Sequence, residues 1–100
     1  MLSLKTHLDG LINKLFKIIP LKENNDKNLD RYIDSLCVDL LGSSFTFREL
    51  LKNQNYITIV NTIEYLRVYE YDFVKCKREV FKCISLVEKI KKELCGDSIE

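Results

Sequence analysis

The longest helical pattern in the chain covers residues 72–94, near the C-terminal end. Apolar residues recur there in steps of three and four, at Phe73, Cys76, Val80, Cys83, Ile84, Val87, Ile90 and Leu94. This spacing places them on one side of a helix that has about 3.6 residues per turn. Asp72 is suited to cap the first turn, and Gly96 is suited to end the last one. The pattern predicts a helix of roughly 34 Å, along which other helices can pack.

Two earlier segments carry the same apolar spacing. In residues 3–19 it should end before Pro20, because proline disfavours helical geometry in the residue that precedes it. In residues 28–41 it should end at Gly42, with Asn28 as the N-cap. Both segments are therefore predicted to be amphipathic helices, joined by a polar loop.

Residues 56–70 carry a mixed signal. Tyr56, Ile59, Val60, Ile63 and Leu66 form a helical stripe, but the segment is also rich in the β-branched and aromatic residues that favour strands. We predict a helix, because a hairpin would need a tight turn without the glycine that such turns favour. The remaining apolar residues would then leave this helix apolar on nearly every side. Such a helix is either central to a bundle or exposes an adhesive face.

A short additional helix is predicted over residues 46–53. Thr46 and Glu49 have the spacing of a capping box, in which two side chains satisfy free backbone N–H groups at a helix start. Phe45 and Leu50 have the spacing of the accompanying hydrophobic staple. Asn55 is then placed to cap the helix that follows.

These elements predict an all-α fold, a mostly antiparallel bundle of four long helices (3–19, 28–41, 56–70 and 72–94) and one short helix. A chain of 100 residues suggests one domain, residues 1–100. The sequence contains no alanine, the residue with the highest helix propensity. The helices must therefore be stabilised by packing of their apolar faces.

Charge and composition narrow the classes of partner. The formal net charge is only +1, whereas a nucleic-acid-binding domain is usually more basic. No run of residues is long and apolar enough for a membrane span, and the first residues do not resemble a signal peptide. The four cysteines form no C-x-x-C pair and are expected to be reduced thiols. We therefore expect a cytoplasmic protein that does not bind membranes.

Recognisable catalytic or cofactor chemistry is missing from the sequence. It contains neither of the glycine-rich phosphate-binding motifs, G-x-x-x-x-G-K-[ST] and G-x-G-x-x-G. Its single histidine, His7, is expected to be solvated. Asp30 and Asp34 stand one helical turn apart, but we interpret them as part of a solvated face. We predict no enzymatic activity, no cofactor and no metal.

The function we expect is that of a non-catalytic protein-binding module. The specific hypothesis is a regulator or inhibitor from a phage or other mobile genetic element, which acts by occluding a partner protein. A small DNA-binding transcriptional regulator is one alternative, because residues 45–67 have roughly the lengths of a helix-turn-helix. A toxin or bacteriocin immunity protein is the other, on likeness of size and class alone. A homodimer is also expected, because surplus apolar residues should leave some apolar surface exposed.

A cluster of aromatic residues near the junction of the last two helices is the predicted partner site. If helices 56–70 and 72–94 pair as a tight hairpin, apolar and aromatic side chains meet on one flank: Tyr65, Val68, Tyr69, Tyr71, Val74 and Phe81. A basic rim would be formed by Lys75, Arg78 and Lys82. Tyrosine suits an interface, since it combines a large rigid apolar area with a hydroxyl group that tolerates water. The alternative is that these aromatic residues fill the bundle core.

Overall fold

The computed structural model describes residues 3–95 as helices joined by short turns. The helices are α1 (Leu4–Phe16), α2 (Ile18–Glu23), α3 (Leu29–Thr46), α4 (Gln54–Val68) and α5 (Phe73–Cys95), and a 3₁₀ turn (Arg48–Leu50) precedes α4. No strand occurs within this range, so the predicted all-α bundle is confirmed and the strand alternative for residues 56–70 is wrong. The predicted cap at Gly96 lies outside the described residues.

The four long helices run antiparallel around the bundle in chain order. Helix α5 lies between α1 and α4 and also contacts α2, whereas α3 packs against α4. The antiparallel direction of α1 and α5 follows from two contacts along their length. Lys91 Nζ lies 2.6 Å from an Asp9 carboxylate oxygen, and the rings of Phe16 and Phe81 meet further along the same pair of helices.

The α3–α4 pair is also antiparallel. The Tyr56 hydroxyl donates a hydrogen bond of 2.6 Å to the carbonyl oxygen of Leu40. Towards the other end of the pair, Arg67 lies 3.2 Å from an Asp34 carboxylate oxygen. The Tyr56 bond is buried, whereas the Arg67–Asp34 ion pair is exposed and is weakened by solvent.

One core cluster joins all of these helices. The predicted apolar stripe of α5 supplies Cys76, Val80, Cys83, Ile84, Val87 and Ile90 to it. The predicted stripe of α4 supplies Tyr56, Ile59, Ile63 and Leu66. Periodicity therefore gave the correct buried face for both helices, including the interpretation of Cys76 and Cys83 as small core residues.

The starts of α4 and α5 are fixed by side-chain caps. An Asp72 carboxylate oxygen accepts a hydrogen bond of 2.7 Å from the Lys75 backbone N–H, as predicted. At α4 the cap is Asn53, whose side-chain oxygen accepts from the Tyr56 backbone N–H at 3.1 Å. The prediction of Asn55 as this cap was wrong by two residues, because α4 already begins at Gln54.

Pro20 does not end the first helical segment where predicted. The break falls at Lys17, and Pro20 lies within α2. A proline lacks the N–H that would bond to the carbonyl four residues earlier, and its ring clashes with that carbonyl. Here that carbonyl belongs to Phe16, the last residue of α1. Within the first turn of α2 the missing N–H costs little, since N–H groups there have no intrahelical partner.

Gly42 does not end α3, which continues to Thr46. The hydroxyl groups of Ser43, Ser44 and Thr46 bond to carbonyl oxygens three or four residues earlier in the chain, so residues suited to turns are accommodated in the helix. Thr46 consequently ends one helix and does not cap another. The predicted helix 46–53 is reduced to the 3₁₀ turn, and the first helix of the helix-turn-helix alternative is not formed.

The buried hydroxyl of Tyr56 should measurably stabilise the fold. Replacing Tyr56 with Phe removes this buried hydrogen bond to the Leu40 carbonyl, so we expect a loss of about 0.5–1.5 kcal/mol in the free energy of unfolding. Burial raises the pKa of Tyr56 from 10.0 to about 12. The stability difference between the wild type and Tyr56→Phe should therefore be complete below pH 10 and should decline as the pH rises towards 12.

Urea denaturation of the wild type and the Tyr56→Phe variant at several pH values tests this. The matched control is Tyr65→Phe. Because Tyr65 is 54% exposed, loss of its hydroxyl should change the free energy of unfolding very little. Equal stability of the wild type and Tyr56→Phe at neutral pH would contradict the assigned hydrogen bond.

Candidate partner-binding surface

Two stacked tyrosines form a ridge at the C-terminal end of α4. Tyr65 lies in the last turn of α4. Tyr69 is the C-cap residue of this helix, and its backbone is extended. Their ring centroids are 5.5 Å apart with an angle of 28° between the planes. Tyr65 is 54% exposed and Tyr69 is 55% exposed, so neither ring belongs to the core. We call this pair the tyrosine ridge; its exposure contradicts the alternative that these two aromatic residues fill the bundle interior.

A hollow lies on each side of the tyrosine ridge. The first, of about 570 Å³, is bounded by the ridge and by residues 70–72 and Lys75 at the start of α5. The second, of about 410 Å³, lies along α4 and is bounded by the ridge together with Val60, Glu64 and Val68. Val68 is 64% exposed, so it adds apolar surface to this side. The ridge and its two hollows can therefore receive side chains from a partner on both flanks.

Tyr71 and Lys75 connect the first hollow to the body of the protein. Tyr71 is half-buried and packs against the core cluster. Lys75 Nζ lies 4.8 Å from the centroid of the Tyr71 ring, a distance suited to a cation–π contact. The predicted association of Tyr65, Tyr69, Tyr71 and Lys75 is thus present around one hollow.

The structure does not bring Val74 and Phe81 to the same hollow. The Phe81 ring contacts Phe16 of α1, with centroids 5.9 Å apart and an edge-on angle of 79°. Val74 precedes Phe81 by seven residues and lies within about 20° of it around the helix axis. Phe81 therefore lies on the side of α5 towards α1, and neither residue borders a hollow at the tyrosine ridge.

Arg78 and Lys82 are exposed along α5. They lie within about 60° of Lys75 around the helix axis, so the three form one basic strip. None of the ion pairs found within residues 3–95 involves any of the three. Glu70 and Asp72 border the first hollow beside them, so its surroundings carry both signs of charge.

A second exposed apolar surface lies on α3 and was not predicted. Val38, Leu41 and Phe45 are 68%, 51% and 75% exposed and are separated by one helical turn each. A helix end at Gly42 would separate Phe45 from Val38 and Leu41, because it would place Phe45 in the hydrophobic staple of the next helix. The spacing of three and four residues across Gly42 was the signal that would have revealed it.

Three of the four thiols are buried, and burial favours their protonated form. All four cysteines are free, and Cys37, Cys76 and Cys83 are buried. Burial raises the pKa of the Cys83 thiol to about 12 and also raises the pKa values of Cys37 and Cys76. A protonated thiol is a poor nucleophile and a poor metal ligand. Among residues 3–95, no group of three or more His, Cys, Asp or Glu side chains is arranged to hold a metal ion.

His7 is only partly exposed, whereas a solvated side chain was predicted. Its ring stacks on Phe47, in the turn after α3, with centroids 5.2 Å apart. Its Nε2 atom is shielded from water and has no hydrogen-bond partner among the described residues. Burial lowers the pKa of His7, and the nearby positive charge of Lys14 lowers it further, while Asp39 acts in the opposite direction.

Comparison with known proteins adds no relative to this description: no protein-family model, curated protein or solved structure matches the chain. None of the helices within residues 3–95 has a stretch that is long and apolar enough to cross a membrane.

The environment of His7 predicts a loss of stability in mild acid. The folded state favours the neutral His7 ring. The contribution of this ring to the stability of the fold is therefore complete above the unfolded pKa of 6.5 and is lost as the pH falls below that value. Phenylalanine at this position can keep the stack on Phe47 but cannot be protonated. We expect the melting temperature of His7→Phe to fall less than that of the wild type between pH 7 and pH 5. Parallel curves for the two proteins would contradict a neutral, partly buried histidine in the folded state.

Proposed function

We propose that this chain is a non-catalytic protein-binding module that contacts its partner through the tyrosine ridge. The observation that supports this most directly is the pair of stacked, half-exposed rings with a hollow on each side. Removing apolar surface from water contributes about 25 cal/mol per Å², so exposed aromatic rings supply free energy when a partner covers them. Ordered tyrosines also lose little conformational entropy on binding, since each ring has only two side-chain torsions.

The surroundings of the ridge fit a protein partner of mixed character. Apolar side chains of the partner would enter the two hollows, and its charged groups would meet the rim. Lys75, Arg78 and Lys82 provide positive charge, while Glu70 and Asp72 provide negative charge beside them. Rim charges of this kind orient a partner and influence its rate of association more than its affinity.

We further propose that binding serves regulation or inhibition by occlusion, in the cytoplasm, as part of a phage or other mobile genetic element. The protonated, buried thiols support a role without nucleophilic chemistry. Free thiols are typical of a reducing compartment and support the cytoplasmic location. The mobile-element origin rests on the small size and composition of the chain.

Self-association is the second candidate, and the apolar surface on α3 favours it. Val38, Leu41 and Phe45 expose apolar area on one helix face, which a second copy of the chain would cover. Two copies that pack α3 against α3 across this face would leave the tyrosine ridge free, because the ridge belongs to the C-terminal end of α4.

The proposal is tested by replacing Tyr65 and Tyr69 with Ala, separately and together. Each change should reduce the free energy of unfolding by less than about 1.5 kcal/mol, the upper range for an aromatic pair. Capture of partners from the native cell, quantified by mass spectrometry, should nevertheless fall strongly. Ile63→Ala, at a fully buried position of the same helix, should instead cost about 2–5 kcal/mol.

Phe45→Ala is the matched control for the tyrosine variants. Phe45 is a 75% exposed aromatic residue on a different helix, so its loss should leave partner capture unchanged. Light scattering of the same variants separates the two candidates, because only self-association through α3 predicts a mass that falls with Phe45→Ala. Undiminished capture by the double tyrosine variant would contradict the proposed surface. A steep loss of affinity with salt would indicate nucleic acid in place of protein.

A further inference from the structure

A separate hollow lies between α1 and α3, on the side of the bundle opposite the contact between α4 and α5. Its volume is about 310 Å³, and its floor is formed by Leu11, Leu36 and Leu40, which are buried core residues. Lys14 and Asp39 border it. A volume of this size is within the range of small-molecule sites, which are concave and mostly apolar with a few polar groups.

The hollow exists because α1 and α3 are held apart. Their backbones approach each other less than those of the other neighbouring helices in the bundle. Polar contacts bridge the gap: the Tyr32 hydroxyl donates to the Lys14 carbonyl oxygen at 2.7 Å, and Lys14 Nζ lies 3.2 Å from an Asp39 carboxylate oxygen. Gly10 leaves the remaining space open, since a Cβ atom at this position would meet no atom within 4 Å.

We propose that this hollow binds a small, uncharged, largely apolar molecule about the size of two fused rings. The size follows from its volume, because a cavity of about 150 Å³ lined by apolar side chains accepts benzene. The hollow has roughly twice that space. This site is independent of the tyrosine ridge, because the two share no residue.

The charges around the hollow explain why the molecule is uncharged. Lys14 and Asp39 neutralise each other across the opening, so neither is free to bind an ion of opposite sign without losing its partner. The ring of His7 is part of the wall, and the folded protein favours its neutral form. An ionised ligand would therefore lose its hydration without gaining an opposite charge.

Titration of the ¹⁵N-labelled full chain with indole tests the proposal. Saturable changes in amide chemical shift are expected in α1 and α3 around the hollow, with little change at the tyrosine ridge. Gly10→Leu fills the hollow and should weaken binding by about tenfold or more. Gly10→Ala adds a single methyl group and should weaken it less.

Gly42→Leu is the matched control. Gly42 is also a helical glycine whose Cβ would meet no atom within 4 Å, but it does not line the hollow. Both leucine variants should keep or raise the melting temperature, because leucine has the higher helix propensity. The proposal is overturned by non-saturable shifts, by shifts centred on Tyr65 and Tyr69, or by equal affinity of Gly10→Ala and the wild type. Unfolding of Gly10→Leu together with undiminished binding by Gly10→Ala would overturn it as well.

Discussion

The burial of one face of α5 against α1 and α4 is the contact on which the rest of the structure depends. Six side chains of this helix are buried, and α5 contacts α2 as well as both long neighbours. No alanine is present to favour the helices intrinsically, so each isolated helix would be marginal in water. The apolar stripe of α5 supplies the surface that makes α1, α2 and α4 stable together.

This dependence explains which elements the sequence predicts well. The stripes of α4 and α5 are regular over several turns, and the side chains that they place inside are buried. Local signals for helix ends and helix starts are less reliable where packing in the core favours a continuous helix. Gly42 and Thr46 resemble a helix end and a helix start, yet Ser44 between them is buried and α3 passes through both. Packing of α3 against α4 outweighs a glycine that costs about 1 kcal/mol.

The tyrosine ridge could be predicted in part for a related reason. Tyr65 and Tyr69 are four residues apart at the end of α4, a spacing that allows side chains on one helix face to meet. Whether Phe81 joins them depends on the rotation of α5 about its axis, which is fixed by burial against two helices at once. Here that rotation directs Phe81 towards Phe16 of α1. The hollow beside His7 depends on the separation of α1 and α3, a long-range distance that no local pattern of residues encodes.

Native-state hydrogen exchange of the α5 amides tests the central role of this helix most directly. Amides around Val80, Cys83 and Val87 are buried at the centre of the bundle. If α5 supports the other helices, these amides can exchange only when the whole protein unfolds. Their free energy of exchange should then equal the free energy of unfolding measured in denaturant. Exchange of the central α5 amides through a smaller opening, while α3 or α4 stays protected, would contradict the account.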